Sequence, residues 1–167
     1  MMGTLWTWGH NRYGTLGQNE HGGSAPNYNA TSRSSPTQLP GTSWTTSVTN
    51  GMSVAITSYN MAALKTDGTL WVWGRGSDGE GGWNTTTAKS SPVQLPGTNW
   101  RSIEGSGGAC FYAQKTDGTM WSWGHNEQGQ LGQNSQIQFS SPVQIPGTDW
   151  NYIHRGSDKF GLAIKQI

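Results

Sequence analysis

The sequence predicts an all-β protein, a β-propeller built of about three four-stranded blade repeats that closes by oligomerisation. The first observation is a repeat of about fifty residues, since residues 65–115 align with residues 115–165 without a gap. The second is composition, because Gly, Ser, Thr, Asn and Gln supply 84 of the 167 residues, as is typical of turn-rich β proteins. The third is the presence of ten tryptophans, whose large rings supply core area to a chain with only 32% hydrophobic residues.

Three copies of the repeat make up a single domain that spans all 167 residues. The copies cover about residues 3–64, 65–114 and 115–164. The first copy is the longest, since Trp8 to Pro36 is 28 positions against 19 for Trp73 to Pro92. That difference is an insertion of nine residues, and a second insertion of six follows Trp44.

The first two strands of a repeat form a hairpin. Residues Cys110–Thr116 and Thr119–Trp123 are short runs rich in aromatic residues, which predicts two β-strands. The Asp117-Gly118 step between them predicts a type I′ turn, in which both central residues have positive φ. The second copy has the same step at Asp67-Gly68, so we expect positive φ at Gly68 and Gly118.

Two further strands complete the repeat. Residues Ser141–Ile145, which end at Pro146-Gly147, predict the third strand, and residues Trp150–Ile153 predict the fourth. No apolar stripe of helical period lies between them. Four short antiparallel strands per repeat are typical of a propeller blade.

The strand types at the two ends of the sequence are complementary. The sequence starts with the strand pair Thr4–Trp8 and Ser35–Leu39, and it finishes with the pair Trp150–Ile153 and Phe160–Lys165. Three blade equivalents are too few for a ring, which usually has four to eight blades, and unpaired strand edges are a liability. We therefore expect the chain to bind itself head to tail through these terminal strands, most simply as a two-chain ring of six blades, with a larger assembly as the alternative.

The loop after each Trp-Gly step carries a family pattern. The third copy reads Trp123-Gly124-x-Asn126-x-x-Gly129-Gln130-Leu131-Gly132, followed by Ser-Pro and later by Trp-x-x-Ile. This run resembles the repeat of the regulator of chromosome condensation family (RCC1-like), which implies a β-propeller. The second copy departs from the pattern at Gly76 and Gly81, so we expect a looser loop there. The best-known member of the family is an exchange factor for a small GTPase and other relatives act as interaction scaffolds, but fold transfers more readily than function.

No residue pattern predicts catalysis or metal binding. His10 and His125 occupy matching positions, but no Asp, Glu or Cys lies at ligand spacing beside either, so we interpret them as polar loop residues and candidate contacts only. Asp67 and Asp117 are interpreted as turn residues rather than as a carboxylate pair, and Cys110 as a buried small hydrophobe. Because no nucleophile, base and orienting group occur together, we expect no enzyme activity and no cofactor.

The tryptophans divide into packing residues and one exception. Nine of the ten fall at three repeated positions per copy, which favours packing between blades, and four are expected to be mostly buried: Trp71, Trp73, Trp121 and Trp123. Trp83 replaces a glutamine position beside Asn84, so we expect it to face solvent, where it could contact a sugar or a protein. The first insertion, with Tyr28, is a second candidate contact surface because binding residues often lie on loops.

Charge and hydropathy exclude several functions. Ten basic and nine acidic residues nearly cancel and form no basic run, which argues against nucleic-acid binding. The sequence has neither a signal peptide nor a long apolar span, so we expect a soluble protein of a virion or the cytoplasm and no membrane partner. We predict a non-enzymatic interaction or assembly module, a structural or adhesion component of a phage or other virion. The alternatives are a multivalent carbohydrate-binding lectin and an exchange-factor-like regulator of a small GTPase.

Overall fold

A computed structural model describes residues 2–22, 29–46, 52–154, 157 and 159–166. Within these ranges the chain forms fourteen β-strands and no helix. The strands are β1 (Met2–Gly3), β2 (Trp6–Gly9), β3 (Arg33–Gln38), β4 (Trp44–Thr45), β5 (Val54–Ile56), β6 (Asn60–Leu64), β7 (Leu70–Gly74), β8 (Lys89–Gln94), β9 (Trp100–Gly105), β10 (Cys110–Lys115), β11 (Met120–Gly124), β12 (Phe139–Ile145), β13 (Trp150–His154) and β14 (Leu162–Lys165).

Two sets of four strands form complete antiparallel sheets. Strands β5, β6, β7 and β8 pair in that order, and β9, β10, β11 and β12 do the same. Strands that are neighbours in sequence are thus neighbours in the sheet, as in a propeller blade. We call these sheets the first and the second complete blade, and they confirm the predicted four-stranded unit.

Two strand pairs flank the complete blades. Strand β2 pairs with β3, and β13 pairs with β14. We call these pairs the N-terminal and the C-terminal half-blade. Strand β1 pairs with β4, where Gly3 lies opposite Trp44, and Trp44 in turn bridges to Lys65 at the start of the first complete blade's hairpin. The predicted order of a strand pair, two complete blades and a second strand pair is confirmed.

The Asp-Gly hairpin has the predicted glycine conformation but a different turn type. Gly68 and Gly118 have φ of +78° and +80°, whereas Asp117 is not at positive φ, so the type I′ prediction is wrong. The Gly118 N–H donates to the Lys115 carbonyl (3.1 Å) and the Lys115 N–H donates to the Thr119 carbonyl (3.0 Å), which defines a type I turn followed by a left-handed glycine. Asp117 closes the loop: its carboxylate accepts from the Thr119 hydroxyl (2.6 Å) and N–H (3.0 Å), which lowers the pKa of Asp117.

The two hairpin glycines differ in their surroundings, which gives a matched test. A Cβ on Gly68 would lie 2.2 Å from the Thr98 carbonyl oxygen, whereas a Cβ on Gly118 would meet nothing closer than 3.4 Å. We expect Gly118→Ala to cost about 1–2 kcal/mol of unfolding free energy through left-handed strain alone. Gly68→Ala should cost clearly more because the clash adds to the strain. Urea denaturation midpoints at unchanged slope measure the difference, and equal losses would contradict the packing seen at Gly68.

Indole rings form the centre of the core between blades. Trp73 and Trp123 are fully buried, as predicted, and the Trp123 ring lies 5.7 Å from the Phe111 ring, centroid to centroid. Trp71 and Trp121 are half-buried, which is less than expected, and they pack against the core clusters of the two complete blades. The rings of successive repeats therefore pack between adjacent blades.

The expectation of packing fails for two of the three repeated tryptophans of the first copy, whereas the third, Trp44, is buried. Trp6 is 46% exposed and Trp8 is 59% exposed, although Trp8 stands at the repeat position of Trp123. The reason is structural: the described chain places no preceding blade against this face of the N-terminal half-blade. Repeat position alone therefore does not bury a side chain.

Candidate functional site

The loops that follow each Trp-Gly step form one rim of the blades. We call them the first, second and third glycine loops, residues 10–19, 75–84 and 125–134. In the third loop the buried Asn126 side chain accepts from the Leu131 N–H (3.0 Å) and donates to the Ser135 carbonyl (2.9 Å). Asn11 makes the equivalent bond to the Leu16 N–H (3.0 Å) in the first loop. In each of these two loops a buried asparagine side chain therefore stabilises the conformation of its own loop.

The second glycine loop lacks this amide and is nevertheless tightly packed. A Cβ on Gly76 would lie 2.7 Å from the Thr87 carbonyl oxygen, so backbone occupies the space that the asparagine fills elsewhere. Arg75 pairs with Asp78 and, from its Nε, with Glu80 Oε1 at 2.8 Å. The prediction of a looser loop is therefore wrong, because a close backbone approach and an ion-pair cluster replace the missing asparagine.

Trp83 fills a gap in the same loop. A Cβ on Gly81 would lie 2.2 Å from Cζ2 of Trp83, so the indole covers Gly81 and occupies the space of the leucine found at Leu131 in the third loop. The Trp83 Nε1–H donates to the Thr87 carbonyl (3.0 Å), which fixes the ring orientation. The ring is half-buried against the core rather than directed into solvent, which corrects the sequence prediction.

The second repeat also differs from the third at Val72, in addition to Gly81 and Trp83. In the third repeat, the Gln133 amide donates to the Ser122 hydroxyl (3.1 Å), which itself donates to the Leu131 carbonyl (2.8 Å). In the second repeat, Val72 stands at the Ser122 position and Trp83 at the Gln133 position. An apolar group thus replaces each member of the hydrogen-bonded pair.

A cavity of about 420 Å³ lies beside Trp83, between the two complete blades. The Lys115 Nζ stands 4.6 Å from the Trp100 ring and 4.1 Å from the Trp121 ring, measured to the centroids. Trp83 and Asn84 complete one wall. We call this cavity the Lys115 pocket; its wall combines indole surfaces with an ammonium and an amide.

An equivalent cavity lies one blade earlier. In this Lys65 pocket, of about 290 Å³, the Lys65 Nζ stands 4.0 Å from the Trp71 ring and 5.0 Å from the Trp44 ring. Gln18 and Asn19 stand where the Lys115 pocket has its additional indole and its amide. In both pockets a lysine ammonium therefore contacts two indole rings. The pockets differ in the neighbouring wall, which is Gln18 and Asn19 in one and Trp83 and Asn84 in the other.

The most buried ionisable group of the second glycine loop is Glu80. Its carboxylate accepts from the Asp78 N–H (2.7 Å) and pairs with Arg75, while His125 of the third loop acts on it electrostatically. Burial raises the pKa of Glu80 above its ordinary value, and a backbone hydrogen bond and the Arg75 and His125 charges only partly oppose that rise. The contacts with Arg75 and the Asp78 N–H hold the second glycine loop in its conformation.

This raised pKa predicts a pH dependence of stability. Between the ordinary value of 4.5 and the raised folded value, the folded state binds more protons at Glu80 than the unfolded state, so this group lowers stability as pH rises through that window. Glu80→Gln should remove this contribution and flatten the profile. Urea midpoints measured from pH 4 to pH 7 for both proteins test it, and a steeper decline in the variant would contradict the assignment.

Two apolar faces remain exposed at opposite ends of the described sheets. On the N-terminal half-blade they are Trp6 and Trp8, and on the C-terminal half-blade they are Phe160 (61% exposed), Leu162 (61%) and Ile164 (58%). Clusters of large exposed apolar side chains mark contact surfaces. These two faces are therefore candidate interaction surfaces of the described chain.

The structure separates the remaining predicted contact residues. His10 is exposed in the first glycine loop, and His125 lies in the third, where its ring nitrogens are 3.4 Å from a Glu127 carboxylate oxygen and 3.1 Å from the Gln130 amide nitrogen. The two histidines thus lie in loops of different blades. Tyr28 lies outside the described residues, so its contact role stays a prediction.

Sequence reasoning missed three charged residues. Lys65 and Lys115 each precede an Asp-Gly step, and this recurrence in the sequence could have indicated their equivalent contacts with two indole rings. Glu80 gave no signal, because nothing in the sequence shows its burial. Cys110 is fully buried, as predicted, and within the described ranges no three metal-ligating side chains cluster.

The sheets and loops define a class of protein, an all-β repeat protein made of propeller blades. A family model described as the regulator of chromosome condensation (RCC1) repeat matches residues 2–55 and 117–157, and a second model of the same description matches residues 53–80. The chain belongs to the RCC1 repeat family.

Solved structures share this fold over part of their length. Prp20p from Saccharomyces cerevisiae, studied with its binding to Gsp1p and histones, matches 98% of this chain and 40% of its own, with a TM-score of 0.72 and 21% identity. Yeast RCC1 (Prp20) bound to Kap60 matches 98% of this chain and 39% of its own, with a TM-score of 0.73 and 21% identity. Human WBSCR16 matches 91% and 37%, with a TM-score of 0.65 and 21% identity.

These likenesses establish the fold. The chain spans about two fifths of the length of each of these proteins. No curated protein matches it. In the part of the chain that the structure describes, no helix has the length and hydropathy to span a bilayer.

Proposed function

We propose that the chain is a non-enzymatic interaction module that assembles head to tail, the C-terminal half-blade of one copy forming a blade with the N-terminal half-blade of the next. One observation carries the proposal: the two half-blades expose complementary strand edges and apolar faces. Each supplies the two strands that the other lacks relative to a complete blade.

The internal blades define how the strands would pair. In the second complete blade β10 pairs with β11, and Ala113 lies opposite Trp121. By the fifty-residue repeat, β14 corresponds to β10 and β2 corresponds to β11. The equivalent contact places Ala163 of one copy opposite Trp6 of another, which would cover part of the exposed indole.

The interblade hydrogen bonds indicate where Trp8 would lie. The Trp123 Nε1–H donates to the Glu80 carbonyl (3.2 Å) of the preceding glycine loop, and Trp73 makes the equivalent bond one blade earlier (2.8 Å). The next acceptor in this series is the Gln130 carbonyl of the third loop. This carbonyl accepts from the Tyr112 hydroxyl (2.8 Å), and in the proposed assembly it is the position to which the Trp8 Nε1–H of a second copy would donate.

A glycine beside each acceptor makes room for the indole. A Cβ on Gly82 would lie 2.7 Å from Nε1 of Trp123, so that glycine is needed for the ring to approach. Its equivalent, Gly132, has only the Ile145 side chain near its Cβ position, at 3.9 Å. The third loop therefore keeps an open indole site of the same form, and Trp8 is the exposed tryptophan of the matching repeat position.

A second glycine shows the same open position. A Cβ on Gly79 would lie 2.8 Å from the Ser140 Cα of the following blade, whereas the equivalent Gly129 has nothing nearer than 4.0 Å. The residue that corresponds to Ser140 is Ser34, on the N-terminal half-blade. The two glycines and the strand edge all fit one occupant, the N-terminal half-blade of a second copy.

The mass in solution tests the assembly. With three blade equivalents per chain, two copies make a ring of about six blades, within the usual range of four to eight. Light scattering should then give about twice the 18.1 kDa chain mass. Trp8→Arg should give the single-chain mass with an unchanged circular dichroism spectrum. Ile137→Arg, a change at an apolar side chain that is 69% exposed outside the half-blades, is the matched control and should leave the mass doubled.

Crosslinking tests the predicted register. Gln114 lies opposite Met120 in the second complete blade, so Ile164 should lie opposite Leu5 of another copy. A chain with Ile164→Cys and Leu5→Cys should form covalent dimers under mild oxidation, whereas Ile164→Cys with Ile137→Cys should not. A stable single-chain species at micromolar concentration, or equal crosslinking by both pairs, would refute the proposal.

The finer setting of the module is a separate proposal. Prp20p was studied with its binding to Gsp1p and histones, which supports a protein partner for this chain as well. A virion role and a small GTPase as partner stay predictions, the first from composition and the second from family resemblance.

A further inference from the structure

We propose that the Lys115 pocket binds a pyranose sugar, with Trp83 as the stacking surface and with Asn84 and Lys115 as hydrogen-bonding groups. The pocket lies within one chain, between the two complete blades, so the inference is independent of head-to-tail assembly. Its volume of about 420 Å³ is in the range of small-ligand sites, about 300–1,000 Å³.

The aromatic wall is held in place before any ligand binds. Trp83 is fixed by its hydrogen bond to the Thr87 carbonyl and by its contact with Gly81. Trp121 is fixed by a hydrogen bond from its Nε1–H to the Thr119 hydroxyl (2.9 Å). Large rigid amphipathic rings give contact area at low entropic cost, and the C–H face of a pyranose is a flat apolar surface that matches an indole.

The polar groups of the wall have capacity for a ligand. The Lys115 ammonium contacts two indole faces, but it makes no hydrogen bond or ion pair with any residue that the structure describes. The Asn84 side-chain amide likewise has no hydrogen-bond partner in the described part of the chain. Together they offer up to five N–H donors and a carbonyl acceptor beside the aromatic surface. Hydroxyl groups around a sugar ring can use both functions.

The backbone presents the Asn84 amide from a fixed position. Asn84 has φ of +61°, and its N–H donates to the Ser140 carbonyl of the next blade (2.6 Å). The left-handed conformation accounts for an Asn or Gly at this position, but it does not use the side chain. The side chain is exposed at the pocket wall and available for recognition.

In the Lys65 pocket the equivalent polar side chains already make hydrogen bonds within the protein. Asn19 also has positive φ, but its side-chain oxygen accepts from the Ser91 hydroxyl (3.1 Å). The Gln18 amide contacts the Thr7 hydroxyl and the Thr37 carbonyl, each at 3.4 Å. Both amides are thus engaged within the protein, and the cavity is smaller, about 290 Å³. We therefore assign sugar binding to the Lys115 pocket, with the Lys65 pocket as its internal control.

Titration with simple sugars tests the assignment. The probes are the methyl glycosides of glucose, galactose, N-acetylglucosamine and glucuronic acid, followed by tryptophan fluorescence and by chemical-shift changes of indole N–H signals. At least one should bind saturably at millimolar concentration or below. Asn84→Gly, which keeps the backbone conformation accessible, should weaken that binding at least tenfold, and Asn19→Gly should leave it unchanged. Lys115→Met, which keeps the apolar stem, should also weaken it.

Several results would overturn the proposal. These are an absence of saturable binding by every glycoside, equal weakening by Asn84→Gly and Asn19→Gly, or binding of an oligoproline peptide at the same indole signals in place of a sugar. Trp8→Arg should not change sugar affinity, which separates a failure of this inference from a failure of the proposed assembly.

Discussion

Replacing Trp123 by alanine is expected to lower the free energy of unfolding by about 3–5 kcal/mol, the usual cost of removing a buried large aromatic side chain. The ring is fully buried, packs against Phe111 and Trp100, and donates its Nε1–H to the Glu80 carbonyl of the preceding loop. The substitution would remove the ring, leave a cavity between the blades and orphan a buried carbonyl. Chemical denaturation at unchanged slope measures the loss.

Trp8→Ala is the matched control for this prediction. Trp8 stands at the same repeat position, but it is 59% exposed. At concentrations where the chain is monomeric, its removal should change stability by no more than about 0.5 kcal/mol, as at other surface positions. Comparable losses in the two variants would show that the N-terminal half-blade is covered within the chain. They would also remove the main support for head-to-tail assembly.

Gly81→Leu is expected to destabilise the protein by about 1–3 kcal/mol, the cost of overpacking, even though leucine is the residue of the other two repeats. The reason is Trp83, whose ring atom Cζ2 would lie 2.2 Å from the new Cβ. Trp83→Gln alone should also destabilise, by about 2 kcal/mol, because it leaves Gly81 uncovered and places an amide beside Val72.

Combining the changes should relieve both penalties. A chain with Val72→Ser, Gly81→Leu and Trp83→Gln recreates the hydrogen-bonded group of the third repeat, in which Gln133 donates to Ser122. We expect its loss of stability to be at least about 1 kcal/mol smaller than the sum of the single changes, the coupling typical of residues in contact. Additive losses would mean that the three positions do not form a packing unit.

Local chemistry explains which expectations from sequence succeeded. The positive φ of Gly68 and Gly118 was predictable because the steric preference of glycine is a property of the residue itself. The strands around Trp123 and Trp73 were predictable because short runs rich in aromatic residues that end at a glycine favour strands. The turn type was missed because Asp117 fits either turn, and the Lys115–Thr119 pairing that decides between them is set by the sheet register.

Contacts between loops explain which expectations failed. Gly76 and Gly81 replace the Asn and Leu of the family pattern, which predicted a looser loop. The Thr87 backbone and the Trp83 ring occupy the spaces that these two glycines leave. The same contacts half-bury Trp83, which sequence reasoning placed in solvent. The prediction for Trp8 was wrong in the opposite sense, because Trp8 is exposed although the equivalent tryptophans of the other two copies are buried.

By itself the sequence determined the repeat, the strands, the hairpin glycines and the membership of a blade-forming class, because these follow from the preferences of single residues and from a period written along the chain. Only the tertiary structure decided which indoles are buried, how the second glycine loop is filled and where Lys115 stands beside Trp83 and Asn84. Those features depend on the distance between atoms of different blades. That distance is set by how whole sheets pack, and no spacing along the chain specifies it.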